Sequence, residues 1–462
     1  MKYLRLLIVF AFVLAALGAQ AERVDAMKFS YTSGYQIQNL ANSAAIIDLT
    51  YYNAQTSDPA SGGTALSQPV TISALGSATF FPIHATDGFK GSVVISSNTP
   101  VASIVNLVGS YQGVQIGNSS YVGLSSGATQ INLPLLHKDN YGYDSWFSVQ
   151  NAGALNATVN VAYSDGVNVG PVTIKPGASY TFDQMTETHP ATAKVFAAKV
   201  TSDQPIVVVV VQERLTDANK LILAYTGFDG GETNAVMPLI NTNNYGFITG
   251  VQVQNVGAQA SNITVTYYPS KNANGQTVGT QCTETLSVAA GASTTFGLTA
   301  FDGTGKTAGT STCVKQTFVG SAQITSNSAN QPVVTIVNQA TSTAAGAYGS
   351  FIPSRSTSKV VLPLIMDRNY GWYTGFNLMN VGDAPVTVTC TFTNTSYTIT
   401  KNLAVGEAVN DVQNNKIGNR YVGSGTCTAV GTGSPKIAAV VNEISPDNAD
   451  NLLVYEGINV TP

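Results

Sequence analysis

The sequence predicts an all-β protein of tandem β-sandwich units behind an export leader. Three observations carry that expectation. Apolar and polar residues alternate at period two in short runs, the pattern of half-buried strands. These runs recur at roughly ten-residue spacing, with Gly, Asn, Ser and Pro between them. No stretch after the leader holds a 3.6-residue period.

Residues 1–21 read as the leader. Lys2 and Arg5 form a positive start, Leu6 to Gly18 an apolar run, and Ala19-Gln20-Ala21 the small residues of a cleavage site. The run is short for a membrane span, and Glu22 follows it at once. The mature chain is therefore expected outside the cell or on its surface, with no direct membrane insertion. Of the 462 residues, 10% are charged, and Ser, Thr, Asn, Gln and Gly supply the polarity instead. Losing Lys2 and Arg5 moves the net charge from −4 to about −6. A weakly acidic chain without a basic cluster argues against nucleic acid or anionic membrane as partner.

Four repeats follow the leader, with expected boundaries 22–129, 130–234, 235–358 and 359–462. The last three open with Leu133-Pro134-Leu135-Leu136, Met237-Pro238-Leu239-Ile240 and Leu362-Pro363-Leu364-Ile365. Asn-Tyr-Gly comes next, at Asn140, Asn244 and Asn369, then an alternating strand ending at Asn151, Asn255 or Asn380. A second alternation follows, reading Val159/Val161/Tyr163, Ile263/Val265/Tyr267 and Val388/Cys390/Phe392, with Ile47/Leu49/Tyr51 in the first repeat. The second halves recur too, as in "GSATFF", "GASYTF" and "GASTTF", and in "VASIVN", "VVTIVN" and "IAAVVN". Repeat one departs from this pattern. Only about ten residues separate the leader from "SGYQIQN", with no Leu-Pro-Leu-Ile strand and no Asn-Tyr-Gly. It is expected either to lack an edge strand or to use "RVDAMKFS" as a short substitute.

The cysteines fall as Cys282 and Cys313 in repeat three and Cys390 and Cys427 in repeat four. Of three connectivities, only the sequential one keeps each bridge inside a repeat. Cys390 aligns with Val265 and Cys427 with Ile324, so their bridge is expected to join two strands across one core. Cys282 and Cys313 lie nearer loops, as a peripheral staple. Each bridge would contribute roughly 3–4 kcal/mol in the chain-entropy model.

Together these units resemble the immunoglobulin-like β-sandwich modules strung in tandem on exported bacterial surface proteins, including the CARDB-like, cell-adhesion-related group. The resemblance implies four immunoglobulin-like sandwiches arranged as a rod and carries no activity with it.

Motifs that imitate catalysis do not assemble a site. "GLSSG" (123–127) matches a nucleophile elbow but lies in a polar connection. "AFDGTGKT" (300–307) ends like a phosphate loop but has Ala300 in place of the first glycine. His84, His137 and His189 stand at non-equivalent positions, and Asp229, Asp302 and Asp411 lack calcium-loop spacing. No enzyme, cofactor or metal is expected.

The aromatics around Asn-Tyr-Gly are the candidate surface feature: Tyr141, Trp146, Tyr245, Phe247, Tyr370 and Trp372. They would either fill the joints between modules or stack on a sugar or protein partner; the joint is the preferred reading. The expected role is a non-enzymatic structural protein of the cell surface or matrix, a filament subunit donating its terminal "NLLVYEGINVTP" strand to the open edge of repeat one in the next copy. The alternative is an adhesin or carbohydrate-binding module using the loop aromatics.

Overall fold

A computed structural model describes residues 27–460, apart from 57–61, 82, 84, 86–87, 217–218, 272–275, 305–308 and 446–451. The described residues form strands and turns with no helix. Repeat three shows the complete plan, eight main strands in two antiparallel sheets, with the two-residue strand Thr310–Ser311 added outside the fourth. They are Asn234–Thr242, Ile248–Asn255, Ser261–Pro269, Cys282–Val288, Ser293–Phe296, Phe318–Ser326, Val333–Ala340 and Ala345–Gly349. One sheet orders these as fourth, third, sixth and first; the other as fifth, second, seventh and eighth. Repeats two and four follow the same order. In repeat two the sixth and seventh strands are one continuous strand, Val195–Leu215, which links its two sheets.

The first strand of each complete repeat carries its proline at a bulge. Leu133, Met237 and Leu362 pair with the sixth strand, and so do Leu136, Ile240 and Ile365, with a register shift between. Proline has no N–H to give a ladder, so a bulge is where a strand tolerates it. The bulge also frees backbone carbonyls. The eighth-strand tyrosine uses one: Tyr225, Tyr348 and Tyr455 each donate a hydroxyl hydrogen bond to the carbonyl of Leu135, Leu239 and Leu364.

Among the described residues repeat one has seven strands, from Ser30–Asn39 to Val114–Val122. Its second sheet is complete, but the other holds only Gly63–Ile72, Ala45–Asn53 and Gly91–Ser97. Among the described residues no first strand pairs with Gly91–Ser97. "RVDAMKFS" provides no substitute in its described part: Phe29 packs against Leu107, Val211 and Ile222, and the Lys28 backbone N–H donates to Glu213 of repeat two.

The repeats do not form a rod. Their eighth strands, Val114–Val122, Lys220–Thr226, Ala345–Gly349 and Leu452–Glu456, pack side by side in cyclic order, the last touching the first. The first strand of repeats two, three and four lies against the second and seventh strands of the next repeat around the ring, repeat four reaching repeat one. Apolar cores run through these seams: Ile336, Ala345 and Ala347 join the core of repeat two, while Met379, Val440 and Val454 join that of repeat three. Close approach at the hub needs Gly346, whose added Cβ would lie 2.2 Å from Val454.

One contact recurs at two of the four seams, between repeats two and three and between repeats four and one, with changing chemistry. Asn338 donates to Gln212 at 2.8 Å, and Asn106 donates to the Glu443 carboxylate at 2.9 Å. At the equivalent seam between repeats one and two, Leu107 and Val211 are apolar partners. A heterologous contact that closes on itself makes a ring, which places equivalent loops on the same face.

Both cysteine pairs are bridged, Cys282–Cys313 and Cys390–Cys427. Cys390 and Cys427 are direct register partners on adjacent strands, so their bridge lies within one sheet rather than across the core. The cross-core expectation took the two inward positions as facing each other from opposite sheets.

Candidate functional site

The string "NNYGFITGVQVQNVG" divides into three jobs. Its last asparagine is framework. Asn39, Asn151, Asn255 and Asn380 are buried, and each side-chain amide donates to two or more backbone carbonyls after the second strand. Glutamines of this strand reach the seams, though Gln252 itself bonds Ser293 and Thr295 of its own repeat. Gln36 donates to the Pro363 and Gly423 carbonyls of repeat four, the second at 2.9 Å, and Gln254 reaches the Ala198 carbonyl of repeat two. These acceptors lie on the bulged first strands and the sixth strands that pair with them.

The tyrosine is neither. Asn140 and Tyr143 exchange backbone hydrogen bonds across Tyr141-Gly142, and both central residues have positive φ. Asn244–Phe247 and Asn369–Trp372 repeat the turn, with Tyr245 at φ 48° and Tyr370 at φ 51°. Such a two-residue hairpin turn prefers Asn-Gly, because a tyrosine held at positive φ is strained. Tyr141, Tyr245 and Tyr370 are 87%, 93% and 76% exposed. They do not fill joints between repeats; they stand on one face of the ring. The other aromatics point elsewhere. Trp146 donates to Glu213 and meets Tyr31 edge-on at the seam between repeats one and two. Phe247 and Trp372 are half-buried against the cores of repeats three and four.

The uncovered edge lies in repeat one. Val93 and Ile95 of Gly91–Ser97 face its core yet remain half-buried. Their counterparts by register, Ala198 and Val200, Ala322 and Ile324, are sealed under a first strand. The seam facing that edge is built differently as well. The second strand of repeat two presents Trp146, Ser148 and Gln150 half-buried, where repeat one's Gln36 and Gln38 are buried against repeat four. Tyr121 holds the eighth-strand tyrosine position, opposite Val105 as Tyr455 is opposite Val441. Burial raises its pKa to about 12, and no hydrogen bond to its hydroxyl is found among the described residues.

Residues that sequence reasoning weighed for chemistry stand apart. His137 is buried between Gln212 and Asn140, and burial lowers its pKa to about 4. His189 pairs with Asp165 in the same repeat. His84 and the Gly305-Lys306-Thr307 string lie outside the described residues. "GLSSG" is a connection between strands, Asp229 pairs with Arg355, and Asp411 with Lys401 and Lys416. Among the described residues, no group of three His, Cys, Asp or Glu could hold a metal, and no helix is long and apolar enough to cross a membrane.

The terminal strand is engaged rather than free. Leu452–Glu456 is the buried eighth strand of repeat four, and Ile458–Val460 pairs with Lys359–Val361. It cannot leave for another copy without opening its own repeat.

No family model matches this chain, and no curated protein does. Among solved structures, one match is titled Escherichia coli alpha-2-macroglobulin activated by porcine elastase. It is 9% identical with a TM-score of 0.12; the match covers 95% of this chain and 43% of that one. At that TM-score it carries no argument.

Proposed function

We propose that the chain is an exported, non-enzymatic structural protein of the cell surface or extracellular matrix, which joins other chains by strand addition at its first repeat. In this reading residues 1–21 are a cleaved leader. Each repeat is an immunoglobulin-like domain of the CARDB-like kind, and the ring is a rigid hub. The supporting observation is the edge of Gly91–Ser97, unpaired among the described residues, in a chain whose three other repeats all cover the same position. An edge with free N–H and C=O groups is a template for another strand. Two disulfides fit an oxidising compartment. With its C-terminal strand engaged, the chain acts as acceptor for an unlike chain rather than as a self-donating filament subunit. Sedimentation and negative-stain microscopy of protein recovered from an exporting host test this: particles linked through repeat one are expected, and discrete rings in every fraction, free of any second chain, would overturn it.

The exposed tyrosines favour a second reading, an adhesin binding glycans through Tyr141, Tyr245 and Tyr370. Glycan-array binding lost on replacing all three by alanine would support it; no binding by the unchanged protein would dismiss it.

A further inference from the structure

The chain carries three worked examples of the strand that repeat one lacks. We infer that the open edge takes an extended Leu-Pro-Leu segment, apolar–any–apolar–Pro–Leu–aliphatic, supplied antiparallel by a separate polypeptide. The inference rests on the strand-addition reading and specifies its partner.

The specification comes from the siblings. Ile131, Leu133, Leu135 and Leu136 are all buried in repeat two, as are Ala235, Met237, Leu239 and Ile240 in repeat three and Val360, Leu362, Leu364 and Ile365 in repeat four. In each, the residue before proline and the residue two after it flank the bulge against the sixth strand. Repeat one keeps the receiving half of this arrangement. Val93 and Ile95 supply the half-covered apolar floor, and the Tyr121 hydroxyl supplies the donor that its counterparts aim at the carbonyl after proline. The slot is continuous with an established interface. At the other three seams the first strand is what touches the next repeat, and at this one Trp146, Ser148 and Gln150 of repeat two stand where that contact would form.

The occupant is a separate chain because every Leu-Pro-Leu strand of this one is built into its own repeat. Among the described residues before Ser30 none pairs with the edge either. Lys28 is fixed on repeat two by Asp144 and the Gly142 carbonyl.

The test titrates the exported protein calorimetrically with the peptide KVVLPLIM, the sequence of residues 359–366, and follows backbone amide exchange over 91–97. Expected are one saturable site, protection of alternate amides in 91–97, and at least about tenfold weaker binding of KVVDPLIM, whose aspartate would be buried. Tyr121→Phe should weaken the peptide about five- to tenfold, the worth of one hydrogen bond, without altering the fold. If the peptide gives no heat while the edge exchanges freely, the Leu-Pro-Leu specification is overturned and strand addition by some other segment survives. If the edge is already protected in the isolated monomer, its own chain fills it and both readings fall. Protection that appears only on self-association would replace the separate partner by a second copy.

Discussion

Removing one hydroxyl at four equivalent positions should give three losses and one silence. Tyr225, Tyr348 and Tyr455 each donate to a carbonyl released by the proline bulge of the first strand, and each hydroxyl also lies 3.3 Å from a backbone N–H of the same strand. All three are fully buried, so Tyr→Phe leaves the carbonyl without its partner in an apolar seam. Such a deletion costs about 1–2 kcal/mol. For a chain of this length that is roughly 1–2 °C of Tm if the ring unfolds as one unit. Tyr121 holds the same place but lacks the first strand, so Tyr121→Phe should leave Tm unchanged. Scanning calorimetry of the four variants at one pH decides the matter. A Tyr121→Phe loss as large as the others would mean that its hydroxyl already has a strand to bind, which would refute the open slot.

Other consequences follow from the seams and the tips. Burial raises Glu443 to about 8 from an ordinary 4.5. A raised carboxyl favours folding below its unfolded value, and that stability is lost as pH climbs from 4.5 through 8, by at most about 4–5 kcal/mol. Glu443→Gln should therefore raise Tm at pH 9 and change it little at pH 4.5; an equal change at both would show that the seam with Asn106 does not sense the charge. Tyr245→Asn places a residue that tolerates positive φ in a turn that prefers it, and should stabilise by about 0.5–1 kcal/mol in denaturant titration. A loss would mean that the exposed ring supports the fold. Small-angle scattering should give a radius of gyration near 22 Å, the compact value for this length, whereas a rod of four modules would give roughly 40 Å. Gly346→Val, by driving a side chain into Val454, should swell that radius or lower Tm by several degrees.

Much of this was written in the sequence, at the level of the repeat. Period-two alternation located the strands, and the buried asparagine after each second strand recurs because every repeat turns there. The absent Leu-Pro-Leu-Ile strand of repeat one was visible as missing text. The ring was not legible, for a physical reason. Eighth strands such as Leu221–Tyr225 and Leu452–Tyr455 are covered on both faces, so they lose the alternation that marks which side faces what. The signal that did exist, the recurring Val-Asn of "TIVN" and "AVVN", is seam chemistry and read simply as repeated strand. Tyr245 misled in the opposite direction. Its strained turn is set by the hairpin, which directs the ring outward whatever the neighbouring repeat does.

Amide hydrogen exchange on the isolated monomer, comparing four equivalent strands, bears most directly on the claim that one sheet of a closed ring is a strand short. Alternate amides of Gly91–Ser97 should exchange at least ~100-fold faster than the matching ones of Val195–Ser202, Phe318–Ser326 and Tyr421–Gly431, which a first strand covers. Equal protection across all four would contradict the account.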